Sequence, residues 1–94
     1  MVEKVIAESD PNDWALHART YNALGKLQNK ANRKKAAIQA YLHVDLLYAQ
    51  EPDQHAEALG NLVKLFTEVS QPQNAANTRA ALRRLYPNSH WAKI

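Results

Sequence analysis

Apolar positions recur at steps of three and four along most of the chain, the period of an α-helix with one buried face. Trp14, Ala18, Tyr21, Leu24 and Gly25 form the first such stripe. Asp10-Pro11 predicts its start, because an aspartate accepts from a free backbone N–H and a proline at the first helical position loses no donor. Asp13 adds negative charge at the positive end of the helix dipole. The polar run from Gln28 to Asn32 closes the segment. A second helix is expected from about Arg33 to Ala49, with Ala37, Tyr41, Val44 and Tyr48 as its stripe and Ile38, Leu42 and Leu47 beside it. Glu51-Pro52-Asp53 breaks the chain, since a residue before proline is pushed out of the α region. A third helix covers about Asp53 to Val69, its stripe being Leu59, Leu62, Val63, Phe66 and Val69. After Gln71-Pro72 a fourth carries Ala75, Ala76, Leu82, Leu85 and Tyr86, and Pro87 stops it. Asn88-Ser89 reads as the cap of a further turn that includes Trp91. Residues 1–9 fit either the end of a preceding helix or a frayed arm. No stretch alternates as a strand would.

The segment from Ala18 superposes on the segment from Ala56, a shift of 38 residues. Tyr21 then meets Leu59, Leu24 meets Leu62, Gly25 meets Val63 and Gln28 meets Phe66. Further on, Asn32 meets Ser70, Ala37 meets Ala75, Tyr41 meets Arg79 and Val44 meets Leu82. Each unit is helix, tight turn, helix, about 34 residues long, plus roughly four extra residues near Glu51–His55. The expected fold is all-α: antiparallel helix-turn-helix repeats in a single domain over 1–94. Repeat one spans about 18–51 and repeat two about 56–89, with 90–94 opening a further helix or capping turn. Small residues at Gly25, Ala37 and Ala75 let helices approach closely.

This spacing resembles the tetratricopeptide repeat. Unit one matches that pattern at Tyr21, Leu24-Gly25, Ala37 and Tyr41, and unit two at Leu59, Leu62, Phe66, Ala75 and Pro87. Gln28, Val63, Arg79 and Ala49 depart from it. The stretch Leu85 to Ala92 resembles the long-loop repeats of bacterial envelope proteins. The resemblance implies an α-solenoid of about two repeats with partial flanking helices. It implies a bacterial origin and a place in the cytoplasm or the envelope.

Composition is ordinary for a globular domain, 46% hydrophobic and 22% charged. The 16 alanines and 11 leucines favour helix, where both cost little entropy. With no cysteine there is no disulfide framework, thiolate zinc site or cysteine nucleophile. No run approaches the roughly 20 apolar residues that span a bilayer, so this chain is not expected to insert in a membrane. A net charge of +3 suits an acidic partner and is too small to imply nucleic acid by itself.

His17, His43, His55 and His90 fall on different segments without metal-ligand spacing. With only Gly25 and Gly60 there is no glycine-rich phosphate loop. Neither a metal, a cofactor nor an enzymatic centre is expected. The aromatic set Trp14, Tyr21, Tyr41, Tyr48 and Phe66 recurs at core spacing, and Trp91 is expected either to pack back on the fourth helix or to stay partly exposed. Arg33-Lys34-Lys35 and Arg79, Arg83 and Arg84 form two basic patches, read as solvated surface.

In the resembling family the first helix of each repeat lines a concave groove. Its lining positions map onto Arg19, Asn22, Lys26, Asn29 and Lys30 in unit one and Gly60, Asn61, Lys64 and Thr67 in unit two. Converging Lys, Arg and Asn side chains hold a carboxylate or an extended backbone by charge-assisted and amide hydrogen bonds. Asn61 sits where the family's carboxylate-clamp asparagine would, whereas Asn22 and Lys26 reverse the clamp's order. The expected function is a non-catalytic scaffold that binds a protein or peptide through this face, with Arg19, Asn22, Lys26, Lys30, Asn61 and Lys64 as the contact residues. Self-association into a homo-oligomer is the second reading. Weak nucleic-acid binding through the basic patches is the third.

Overall fold

The computed structural model describes residues 13–93. Four α-helices follow one another: α1 over Trp14–Lys30, α2 over Lys34–Leu47, α3 over Pro52–Glu68 and α4 over Pro72–Leu85. A short 3-10 turn, His90–Lys93, closes the described chain. The starts follow from local chemistry. Pro52 and Pro72 open α3 and α4, where a missing N–H is harmless. Asp13 caps α1, its Oδ1 accepting from Leu16 N at 3.1 Å. The cap expected at Asp10-Pro11 and the two readings of residues 1–9 lie outside the described residues. The second helix ends at Leu47, two residues short of the expected Ala49, with Tyr48 as its C-cap.

The turn between α1 and α2 needs one residue in the left-handed region. Asn32 supplies it with φ 60°, a conformation asparagine tolerates better than most residues. Arg33 N then donates to Gln28 O at 2.8 Å and Asn32 N to Asn29 O at 2.9 Å, which satisfies carbonyls left free at the helix end. The turn between α3 and α4 is built alike. Ser70 stands at φ 61°, Gln71 N donates to Phe66 O at 2.8 Å and Ser70 N donates to Thr67 O at 3.2 Å.

The four helices pack antiparallel in a compact all-α globule. α1 lies against α2 and α3 against α4, while α3 also touches α1, α2 and the 3-10 turn. Its central place explains its composition: Leu59, Leu62, Val63, Leu65 and Phe66 are all buried on it. Ala37, Ile38, Tyr41 and Val44 of α2 and Ala75 and Leu82 of α4 complete the core with Ala18 of α1. The polar face of α4 keeps Arg79, Arg83 and Arg84 exposed. Arg33 and Lys35 are exposed as well, but Lys34 is engaged, with its Nζ 2.6 Å from Glu68 Oε2 across to α3. Trp14 departs from its expected core role. It is 41% exposed and touches only the edge of the core through Tyr48, ring centroids 5.5 Å apart.

Candidate functional site

Glycine decides how closely α2 approaches α1. A Cβ built on Gly25 would stand 2.7 Å from the Tyr41 ring, so only a residue without a side chain lets that ring lie flat on the helix. Tyr41 is thereby 3% exposed, yet it lines a cavity of about 400 Å³. Lys26, Asn29 and Lys30 form the α1 wall of this cavity, Glu57 and Asn61 the α3 wall, and Trp91 the mouth. Trp91 is held there because Gly60 leaves room for it: a Cβ on Gly60 would lie 2.5 Å from Trp91 Cε3. Lys64 Nζ sits 5.5 Å from the Trp91 ring centroid, a cation–π contact at the rim.

The amides here are oriented by what they already bind. Asn29 Oδ1 accepts from Lys34 Nζ at 2.8 Å, which leaves its Nδ2 as a free donor. Asn61 Nδ2 donates to Glu57 O at 2.9 Å, which leaves its Oδ1 as a free acceptor. The Tyr41 hydroxyl has no hydrogen-bond partner among the described residues. Burial, and then the Glu57 carboxylate, push its pKa up to about 12. It is therefore a neutral donor at any physiological pH.

Of the residues the sequence nominated, Lys26, Asn29, Lys30 and Asn61 share this cavity, and Lys64 stands at its edge. Arg19 is exposed and does not line the cavity. Asn22 is a correction. It is 2% exposed, and its Nδ2 donates to Gln54 O at 3.0 Å and to Gln54 Oε1 at 2.9 Å. It ties α1 to α3 and presents nothing to a ligand. Gly60 is likewise buried beneath Trp91. Thr67 turns its hydroxyl onto Val63 O at 2.9 Å and lines a different hollow with Arg79.

A wider cavity of about 680 Å³ adjoins the first, since Glu57 and Trp91 line both. Asp53, Gln54, Glu57, Tyr86 and His90 contribute its polar groups. Lys26 and Lys30 thus line only the first cavity, Asp53 only the second, and Glu57 both.

One constellation escaped the sequence reading. Asp45 on α2, His55 on α3 and Tyr86 after α4 form a chain, with His55 Nε2 2.6 Å from Asp45 Oδ1 and His55 Nδ1 2.6 Å from Tyr86 Oη. His55 is 4% exposed, so the chain links three elements through a buried imidazole, with Asp45 and Tyr86 half-buried at its ends. Burial, then the Asp45 charge, raise the Tyr86 pKa. A signal was present. Under the 38-residue shift His17 falls on His55 and Tyr48 on Tyr86, identical residues in both pairs. His17 does meet the edge of Tyr48, centroids 5.9 Å apart, as His55 meets Tyr86 at 5.3 Å.

No group of three or more His, Asp or Glu side chains among the described residues could hold a metal ion. No helix among them is long and apolar enough to cross a membrane. No family model matches the chain, and neither the curated proteins nor the solved structures contain a match to it.

Proposed function

We propose that this protein is a non-catalytic interaction module built of two tetratricopeptide-like repeats, which binds a protein or peptide segment in the cavity between α1 and α3. The repeat reading is supported by the helix bounds. α3 and α4 begin and end 38 residues after α1 and α2. The bonds that close the turns obey the same shift: Arg33 N to Gln28 O becomes Gln71 N to Phe66 O, and Glu51 N to Tyr48 O becomes Ser89 N to Tyr86 O.

One observation carries the binding reading. Lys26, Asn29, Lys30 and the hydroxyl of Tyr41, which has no partner among the described residues, line one space. None of these donors is hydrogen-bonded to another of the described residues, and a carboxylate or a peptide carbonyl entering the cavity would accept from them. The test is binding of blocked acidic peptides by the wild type and by a Lys26→Ala/Lys30→Ala variant. The variant is expected to keep its helical content and melting temperature while losing at least about tenfold in affinity, since each lysine removed takes away a charge-assisted bond. Equal affinity would overturn the reading.

Self-association by head-to-tail stacking is disfavoured by charge. A second copy placed so would put Arg83, which corresponds to Asp45, against His17, which corresponds to His55. Pro72, corresponding to Lys34, would face Lys30, corresponding to Glu68, so the link between Lys34 and Glu68 would have no counterpart.

A further inference from the structure

The groove has two ends of opposite sign, and that polarity defines what fits it. Lys26 and Lys30 line the first cavity together with Tyr41, Asp53 lines only the second, and Glu57 stands where the two meet. The two spaces are continuous through Glu57 and Trp91, which line both. Between them Asn61 offers an acceptor, because its Nδ2 is spent on Glu57 O, and Asn29 offers a donor, because its Oδ1 is spent on Lys34. A free C-terminal carboxylate would use only the lysine end. It would leave the carboxylates and the Asn61 Oδ1 unmatched. An extended backbone answers both amides, with an N–H for Asn61 and a carbonyl for Asn29.

We infer that the groove recognises an internal, extended peptide segment carrying an acidic side chain and, about three to four residues away, a basic one. The inference rests on the proposed binding role of this face. The acidic side chain enters the cavity lined by Tyr41, Lys26 and Lys30, which Asn61 marks on α3, and the basic side chain pairs with Asp53. The spacing follows from α3: Asp53 and Asn61 are eight residues apart on it, about 12 Å along the axis. An extended chain crosses that distance in about three to four residues.

The experiment uses three pools of acetylated, amidated octapeptides, random except at two positions. One pool has Glu and Arg three residues apart, a second has Glu and Ala, and the third has Gln and Arg. Affinities are measured by fluorescence polarisation against the wild type, Asp53→Asn and Lys26→Ala/Lys30→Ala. The Glu/Arg pool is expected to bind about fivefold more tightly than the Glu/Ala pool, the scale of one well-placed ion pair. Asp53→Asn, at a residue that lines only the second cavity, should abolish that fivefold difference and leave the Glu/Ala affinity as it was. Equal affinity of the Glu/Arg and Glu/Ala pools overturns the bipolar inference and leaves the binding role of the lysine cavity standing. Gln/Arg peptides binding as well as Glu/Arg peptides, with no effect of the lysine substitutions, overturns both.

Discussion

In the first hairpin, α1 and α2, the buried imidazole of His17 meets the edge of Tyr48, and its Nε2 has no partner among the described residues. In the second, α3 and α4, His55 meets the edge of Tyr86 and is bonded at both ring nitrogens. The backbone is alike, yet His55 reaches across to Asp45 of the first hairpin, whereas His17 has no such partner among the described residues. The contrast reverses at the lysine cavity. There the first hairpin sets Gly25 beneath Tyr41 and opens a cavity. The second has Val63 and Arg79 at the corresponding positions, and Arg79 is exposed. One backbone plan thus serves two ends: the second hairpin supplies most of the core and its polar fastening, while the first supplies most of the binding wall.

Four paired substitutions test that division, and their expected effects fall in size. Leu62 is 1% exposed on α3, whereas Leu24, its counterpart on α1, is half-buried. Leu62→Ala should destabilise by about 2–5 kcal/mol and Leu24→Ala by clearly less, read from urea unfolding. Equal losses would place the core between the hairpins rather than around α3.

The histidines come next. His55→Ala strands the Tyr86 hydroxyl and the Asp45 carboxylate, at a cost of about 2–4 kcal/mol. His17→Ala removes packing but also removes an orphaned buried nitrogen, so its loss should be smaller by about 1 kcal/mol or more. A His17→Ala loss as large as that of His55→Ala would mean His17 is bonded in solution.

The glycines follow. Gly25→Ala drives a methyl into a buried ring and should cost about 1–3 kcal/mol. Gly60→Ala meets Trp91 on a short 3-10 turn, which has fewer neighbours to hold it than Tyr41 has within α2, so its cost should be smaller. Both substitutions regain the roughly 1 kcal/mol of helix propensity that glycine forgoes. Thermal melts separate the two.

The smallest effects lie in the turns. Ser70→Gly should stabilise by about 0.5–1 kcal/mol because glycine adopts positive φ without strain. Asn32→Gly should gain less, since asparagine already tolerates that conformation.

Much of this fold is written locally. Pro52, Pro72 and Pro87 mark helix boundaries, the three- and four-residue stripes mark the buried faces, and the correspondence of Asn32 with Ser70 marks both left-handed turns. Lys26, Asn29, Lys30 and Asn61 were legible as one surface because the repeat resemblance maps its lining positions, one phase of the first helix in each unit, onto them. Asn22 shares that phase but lies close enough to α3 for Gln54 to take its amide. That depends on the separation of two helices, which no stripe records. The Asp45–His55–Tyr86 chain fails for the same reason. Its members are 10 and 31 residues apart, and Asp45 alone reads as a solvated charge on α2. The place of Trp91 depends on Gly60, a glycine inside a helix whose only local signature is a weak propensity.

Trp91 offers the most direct measurement. Trp14→Phe leaves it as the single tryptophan at the mouth of the lysine cavity. Titration of that variant with the Glu/Arg peptides should give a saturable change in its emission, lost when Lys26→Ala/Lys30→Ala is added. Heat of binding in a calorimeter with the Trp91 emission unmoved would place the partner elsewhere on the molecule and contradict the groove.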